Sequence, residues 1–149
     1  MITLRETRAE DVAFFFEQQV DPVAVHMAAF TAKDPGDSLA FKAHWARLLE
    51  DDGILKRTVL VDGDVAGSMV SFDEAGHREI CYWLGREYWG QGIATFALGM
   101  FLEEELTRPL QARAAADNHG SIRVLEKCDF KLLARERGYA NARQAEIEE

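Results

Sequence analysis

Cysteine and proline are scarce in this chain, with two and three residues in 149. Two cysteines cannot staple a small secreted scaffold. Cys81 lies in an apolar strand-like run and Cys128 near a helix end, so both are expected as reduced, buried thiols of a cytoplasmic protein. A catalytic cysteine is disfavoured because no histidine lies near either by local spacing. Basic residues are also outnumbered: 17 Lys and Arg against 26 Asp and Glu give a net charge of −9 with no basic stripe. That excludes nucleic acid as the main partner. No apolar run approaches the ~20 residues needed to span a bilayer, and no membrane partner is expected. The start, Met1-Ile2-Thr3-Leu4-Arg5-Glu6, lacks the basic-then-apolar pattern of a signal peptide. Low-complexity tracts and composition breaks are absent too, which implies one domain over residues 1–149 with a sizeable core. The acidic excess is compatible with a cationic amine substrate, although such surfaces commonly serve solubility.

What the chain does contain is a strong alternation of element signals. Ile2-Thr3-Leu4-Arg5 reads as a short strand, and Val12, Phe15 and Phe16 recur at helical spacing. Met27, Phe30 and His26 line either a helix turn or a pocket wall, and Lys33-Asp34-Pro35-Gly36 is a loop. Asp37 is placed to cap a helix with Leu39, Phe41, Trp45, Leu48 and Leu49 on its apolar face. Thr58-Val59-Leu60-Val61 and the run from Val65 to Phe72, joined by Asp62-Gly63-Asp64, form an antiparallel hairpin. A third strand, residues 78–84, completes a meander. A helix follows with Ile93, Phe96, Ala97, Met100 and Phe101 on one face, and Pro109 forbids its continuation. Residues 110–116 read as a strand, residues 117–128 as a helix with Ile122, Leu125 and Val124 inward, and residues 130–134 as another strand. The polar tail from Tyr139 is either an edge strand or loose. The order β-α-α-β-β-β-α-β-α-β predicts a mixed α/β fold whose central sheet is largely antiparallel and flanked by helices.

Between the third strand and the long helix stands Tyr88-Trp89-Gly90-Gln91-Gly92-Ile93-Ala94-Thr95. Glycines at a strand-to-helix turn let a ligand approach closely, and a helix start offers unpaired N–H groups and a positive dipole end. A phosphate or pyrophosphate suits such a place. Gly90-x-Gly92-x-x-Thr95 nearly matches the dinucleotide fingerprint, with Asp117 at a plausible ribose distance. That fingerprint belongs after the first strand of a parallel array, however, and here it follows an antiparallel meander. A kinase-type phosphate loop fits less well, since no Gly-Lys-Ser/Thr follows.

The run Leu84-Gly85-Arg86-Glu87-Tyr88-Trp89-Gly90-Gln91-Gly92-Ile93-Ala94-Thr95, followed by Asn118-His119-Gly120-Ser121-Ile122-Arg123-Val124-Leu125-Glu126-Lys127-Cys128-Asp129-Phe130, resembles the GNAT family of N-acetyltransferases. The nearer resemblance is to the branch holding the ribosomal-protein N-terminal acetyltransferases and small-amine relatives. It covers nearly the whole chain, with two motifs in order on the right elements. The resemblance implies acetyl-CoA as co-substrate and no metal. Backbone amides of Gly90, Gln91, Gly92, Ile93, Ala94 and Thr95 would bind the pyrophosphate. The backbone of Tyr82, Trp83 and Leu84 would pair with the pantetheine arm, and Asn118 would help hold the thioester end. Arg86 and Lys127 are either further phosphate contacts or solvated charges.

The implied reaction is direct attack by a primary amine, from a small molecule or a peptide N-terminus, on the thioester. The amine needs a base, the oxyanion a donor and the leaving thiolate stabilisation. Glu79 is the first candidate base, against the alternatives of an arginine pairing or simple exposure; His77, His26 and Glu17 rank below it. Relatives often carry an acid tyrosine on the helix after Asn118, but Leu125 stands at that position. Ser121 is therefore the candidate thiolate partner, against a reading as a first-turn residue of a helix capped by Asn118; Tyr139 is a fallback. Glu87 replaces the Gln or Arg that usually opens the motif, and must turn its carboxylate outward. Asp129 replaces a glycine where a left-handed residue is expected. The chain ends short of the full last strand, which suggests either truncation or an edge strand supplied by a second copy in a homodimer. A CoA-binding sensor without turnover is the competing function.

Overall fold

The structure is a computed structural model describing residues 1–149. Five strands form the main sheet in the order β1-β2-β3-β4-β5: β1 Ile2–Glu6, β2 Leu55–Val61, β3 Asp64–Glu74, β4 His77–Leu84 and β5 Leu110–Ala112. The first four pair antiparallel and β5 runs parallel to β4. This is the mixed, largely antiparallel sheet that the element pattern predicts. Between β1 and β2 lie three helices, α1 Val12–Gln19, α2 Pro22–Ala28 and α3 Ser38–Glu50. Helix α4 Ile93–Glu104 follows β4, and α5 His119–Lys127 follows β5. The chain closes with a separate hairpin, β6 Arg137–Ala140 and β7 Ala145–Glu148. No helix is long and apolar enough to cross a membrane.

Local chemistry explains most boundaries. Asp62-Gly63 turns the β2–β3 hairpin with φ of 50° and 88°, the positive pair that a two-residue turn matching strand twist demands. Asp37 caps α3 by accepting from the Ala40 N–H at 3.0 Å. Asp21 caps α2, with Pro22 at the first helical position, where its missing N–H costs nothing. Asp129 takes φ 67°, the left-handed reversal expected there, and the Phe130 N–H bonds back to Leu125 O.

The sheet separates two cores. On one face, Val59, Met69, Ile80 and Leu84 pack against Ile93, Ala97, Leu98 and Phe101 of α4. On the other, Val70 meets Val12 and Phe15 of α1 and Trp45 of α3. Fully burying each large side chain stabilises by about 1.5–3 kcal/mol. Between β4 and the end of α4 sits a buried ion pair: Glu105 accepts from Arg78 Nε at 2.7 Å and from the Ser71 hydroxyl. Burial raises the Glu105 pKa, but hydrogen bonds from Ser71, Arg78 and the Thr107 N–H outweigh it and hold the carboxyl at about 2.

Several expectations are corrected. Residues 130–134 form no strand, and Leu132 and Leu133 are exposed. Beyond the end of β5, the Ala116 N–H bonds to Glu148 O at the end of β7, which ties the closing hairpin to this segment. Strand β5 stops at Ala112 and not at Ala116. Phe96 is 56% exposed, because α4 is apolar on nearly every side and periodicity cannot single out its inner face. Leu39 is exposed at the first turn of α3. Cys81, expected to be buried, is open to solvent, and Cys128 is half-buried; both are free thiols.

Candidate functional site

The central geometric fact is where β4 and β5 part. Their parallel pairing covers Arg78↔Leu110, Glu79↔Gln111 and Ile80↔Ala112 only. Strand β4 runs on to Leu84 without β5 beside it, which leaves the outer backbone edge of residues 81–84 open. A cleft of about 660 Å³ fills the gap. Its walls are Tyr82, Trp83 and Leu84 of β4, the loop residues Tyr88, Trp89, Gly90 and Gly92, and Ile93, Ala94 and Thr95 of α4. Val23, Ala24, Met27 and Ala28 of α2 close one side, and Asn118, Gly120, Ser121, Arg123, Val124 and Lys127 the other.

The glycine loop is shaped to present N–H groups. Gly90 and Gly92 have φ of 72° and 77°, and a methyl at either would meet nothing within 4 Å. Glycine is therefore required for the backbone turn and not for space. Gly92 occupies the N-cap of α4 in a left-handed conformation with no side chain capping the helix. The first-turn amides are thus free to meet an anion. Trp89 donates Nε1–H to Leu84 O at 2.9 Å and fixes the loop to the strand end.

The expected site residues divide by element. Tyr82, Trp83, Leu84, Gly90, Gly92, Ile93, Ala94, Thr95, Asn118 and Ser121 share the cleft. Gln91 is outside its lining, and its side chain donates to Glu87 O at 2.8 Å. Glu87 borders a separate polar depression and is absent from the cleft lining. Arg86 borders the same depression and pairs with Asp21 at 3.1 Å, which leaves Lys127 in the cleft without it. Glu17 also faces that depression, and His26 is exposed. Tyr139 is 60% exposed on β6.

Asn118 accepts from the Ser121 N–H at 3.2 Å as the cap of α5 and donates to Met27 O at 3.3 Å. It therefore ties α5 to α2 across the cleft. The Tyr82 and Ser121 hydroxyls lie 2.9 Å apart. Burial raises the Tyr82 pKa, and the Ser121 hydrogen bond only partly offsets this.

Glu79 is on the opposite face of β4, in the alternating set His77, Glu79, Cys81 and Trp83. Its carboxylate faces His77 Nε2 at 3.1 Å and Arg113 Nε at 3.4 Å, and its side chain is 13% exposed. Arg113 also holds Glu136 and Glu149 at 3.1 Å each, which joins the closing hairpin to this face. Cys81, next along, is open to solvent although its strand neighbour Val70 is buried, so the sheet is uncovered here.

The pocket-wall reading of the segment around Met27 holds for Met27 but not for Phe30 or His26, while the sequence reading singled out neither the Tyr82 hydroxyl nor Arg123. Arg123 and Lys127 stand four residues apart on α5, neither in an ion pair. That i, i+4 spacing was visible in the chain. The Tyr82–Ser121 contact spans 39 residues and had no local signal. No group of three or more His, Cys, Asp or Glu is placed to hold a metal ion.

Comparison with known proteins follows the same lines. Residues 1–131 match the family described as acetyltransferase (GNAT) domain. An uncharacterized N-acetyltransferase, p20, of Bacillus licheniformis is 31% identical over 94 residues, a stretch covering 60% of this chain and 52% of that relative. The match thus spans about half the length of p20. RimJ of Mycobacterium smegmatis, solved in complex with CoA-disulfide, superposes with a TM-score of 0.79 at 20% identity, covering 99% of this chain and 78% of RimJ. The aminoglycoside acetyltransferase AAC(6')-Ib, solved with coenzyme A, gives 0.74 at 17% identity over 91% of this chain and 87% of its own. At such identities these likenesses establish the fold.

Proposed function

This chain belongs to the GNAT acetyltransferase family, and from that premise we propose that it is an acetyl-CoA-dependent N-acetyltransferase acting on a primary amine of a small molecule or a protein N-terminus. The observation that carries the reading is the parting of β4 from β5 at Ile80 and Ala112, directly before a glycine loop with free helix-start amides. One cleft thus joins an open strand edge, suited to the amide groups of a pantetheine arm, to an anion cradle suited to a pyrophosphate. The cation pair Arg123 and Lys127 lies along the same cleft.

In this arrangement the backbone amides of residues 90–95 bind the pyrophosphate, with Arg123 and Lys127 adding charge. The open edge of residues 82–84 holds the pantetheine arm. Asn118, engaged with Met27 and Ser121, fixes the cleft width near the thioester and is a positioning residue. The amine approaches over the uncovered sheet face at Cys81, where Glu79 is the nearest expected base and takes the ammonium proton directly or through water. Attack forms the C–N bond and places charge on the carbonyl oxygen. Collapse breaks the C–S bond, and the thiolate leaves toward Ser121.

One observation favours the competing reading, a CoA-binding sensor without turnover: Glu79 is already engaged by Arg113 and His77. Calorimetry with acetyl-CoA, followed by thiol-release assays with spermidine, kanamycin and a short peptide bearing a free α-amino group, tests both. Binding with release supports the transferase. Binding without release on a broad amine panel supports the sensor, and no binding overturns both.

A further inference from the structure

Tyr82 is the one site residue whose side chain does something the family resemblance does not call for. Its backbone lies on the open edge of β4, yet its phenol crosses the floor of the cleft to Ser121 at 2.9 Å. Leu125 occupies the helix position where a tyrosine acid was sought, so α5 supplies no phenol. The aromatic hydroxyl that reaches Ser121 comes from the sheet. Ser121 accepts one more constraint, since its N–H is held by the Asn118 side chain at 3.2 Å.

A lone serine hydroxyl rotates freely, and its proton points wherever the best acceptor lies. The partner oxygen of Ser121 is a largely buried phenol whose pKa lies above its ordinary value, so it is protonated at neutral pH and available as a donor. If the Tyr82 O–H donates to Ser121 Oγ, the Ser121 proton is free to point into the cleft. Chains of this polarity strengthen the terminal donor.

We propose that Tyr82 is a positioning residue for the leaving group, aiming and polarising the Ser121 hydroxyl as a hydrogen-bond donor to the departing CoA sulfur. This rests on the transferase or sensor reading only in requiring that CoA binds in the cleft. When the C–S bond breaks, its electron pair stays on sulfur. The thiolate accepts the Ser121 O–H hydrogen bond while Ser121 accepts from Tyr82, and solvent supplies the thiol proton after release. No proton needs to leave the phenol.

The test reads the bound thiol itself, with no acceptor required. CoA is bound to the full chain and its thiolate absorbance is titrated, with the complex of desulfo-CoA subtracted to remove Cys81 and Cys128. The expected result is a bound thiol more acidic than free CoA. Y82F and S121A should each return it upward by about one unit, the scale of one hydrogen bond to a charged group. The double variant should go no further than S121A, because Tyr82 acts through Ser121. CoA affinity should stay within about threefold, well under the tenfold that one such hydrogen bond is worth. An unchanged thiol titration in Y82F, or shifts that add in the double variant, overturns the inference. If Y82F folds poorly, S121A alone decides: a titration identical to the parent's overturns it. Absence of CoA binding to the unaltered protein overturns the functional reading instead, so the two failures are distinguishable.

Discussion

Glu105 and Glu79 are carboxylates 26 residues apart that meet opposite fates, one buried against a single arginine and the other shared on an open face. The folded-state pKa of Glu105, about 2, lies below its ordinary 4.5. The sign is that of a depressed carboxyl: its stabilisation is fully present above pH ~4.5 and is lost as pH falls toward ~2, amounting to about 3 kcal/mol by linkage. Urea unfolding of E105Q should show a loss of about 3 kcal/mol at neutral pH, since Arg78 loses its buried carboxylate and keeps the exposed Asp73 and the Gly53 carbonyl. The acid limb of the stability profile should flatten in the same variant. Glu79 answers to activity. If it takes the amine proton, E79Q lowers kcat by about 10²–10⁴ with CoA affinity unchanged, and the acidic limb of the pH–rate profile disappears. Equal kcat in E79Q and parent would assign the base elsewhere. The sequence placed Glu79 on the strand before the loop and raised an arginine pairing, but not that Arg113 supplies it or that His77 joins, because those depend on where β5 and the hairpin land.

Among the elements, β3 bears both cores while β4 bears one core and the cleft, and Gly67 of β3 allows their close approach. A Cβ at Gly67 would lie 2.1 Å from Trp83 O and 2.9 Å from Leu84 Cα, both backbone atoms with little room to yield. Gly67→Ala should therefore cost about 1–3 kcal/mol as an overpacked site. It should also weaken CoA binding, because it moves the strand edge at Trp83 and Leu84. Gly92→Ala differs: it meets no neighbour, but a left-handed φ costs a non-glycine residue about 1–2 kcal/mol. Thermal stability should fall by roughly 3–8 °C to match that strain, and CoA affinity, read by calorimetry, should fall as well because the loop amides are re-aimed. On α5, R123A together with K127A should lower CoA affinity by about tenfold at low salt and less at high salt, as expected of partly screened phosphate contacts. The glycine loop was plain in the chain because its function is written in consecutive residues. The inner face of α4 was legible only in part: Ile93, Ala97 and Phe101 are in the core, but Phe96 is exposed and Leu98 is buried instead, since an all-round apolar helix carries little directional signal.

For the molecule as a whole, the cleft lies between parts held together by few contacts. Asn118 bridges α5 to Met27, and Arg143 in the turn of the closing hairpin pairs with Asp117 at 2.8 and 2.9 Å while donating to His26 O. A ligand that spans these parts should stabilise the fold by mass action. CoA at about 100 times its Kd adds about 2.7 kcal/mol, which corresponds to a Tm rise of roughly 5–10 °C in a chain of this size. NAD at the same concentration should give no comparable shift. By itself the chain determined neither the third helix before β2 nor the closing hairpin, but it did determine the element order from β2 to α5, the capping of α3 and α5, the β2–β3 turn and the anion-binding loop. All of these depend on residues within a few positions of one another, where backbone dihedrals and unpaired N–H groups leave a direct trace. Folding in three dimensions decided which face Glu79 joins, that α2 walls the cleft, that residues 130–134 stay out of the sheet, and that Tyr82 meets Ser121. Those outcomes turn on the three-pair β4–β5 register and on hydrogen bonds across 39 to 117 residues. No local periodicity encodes the point at which two paired strands let go.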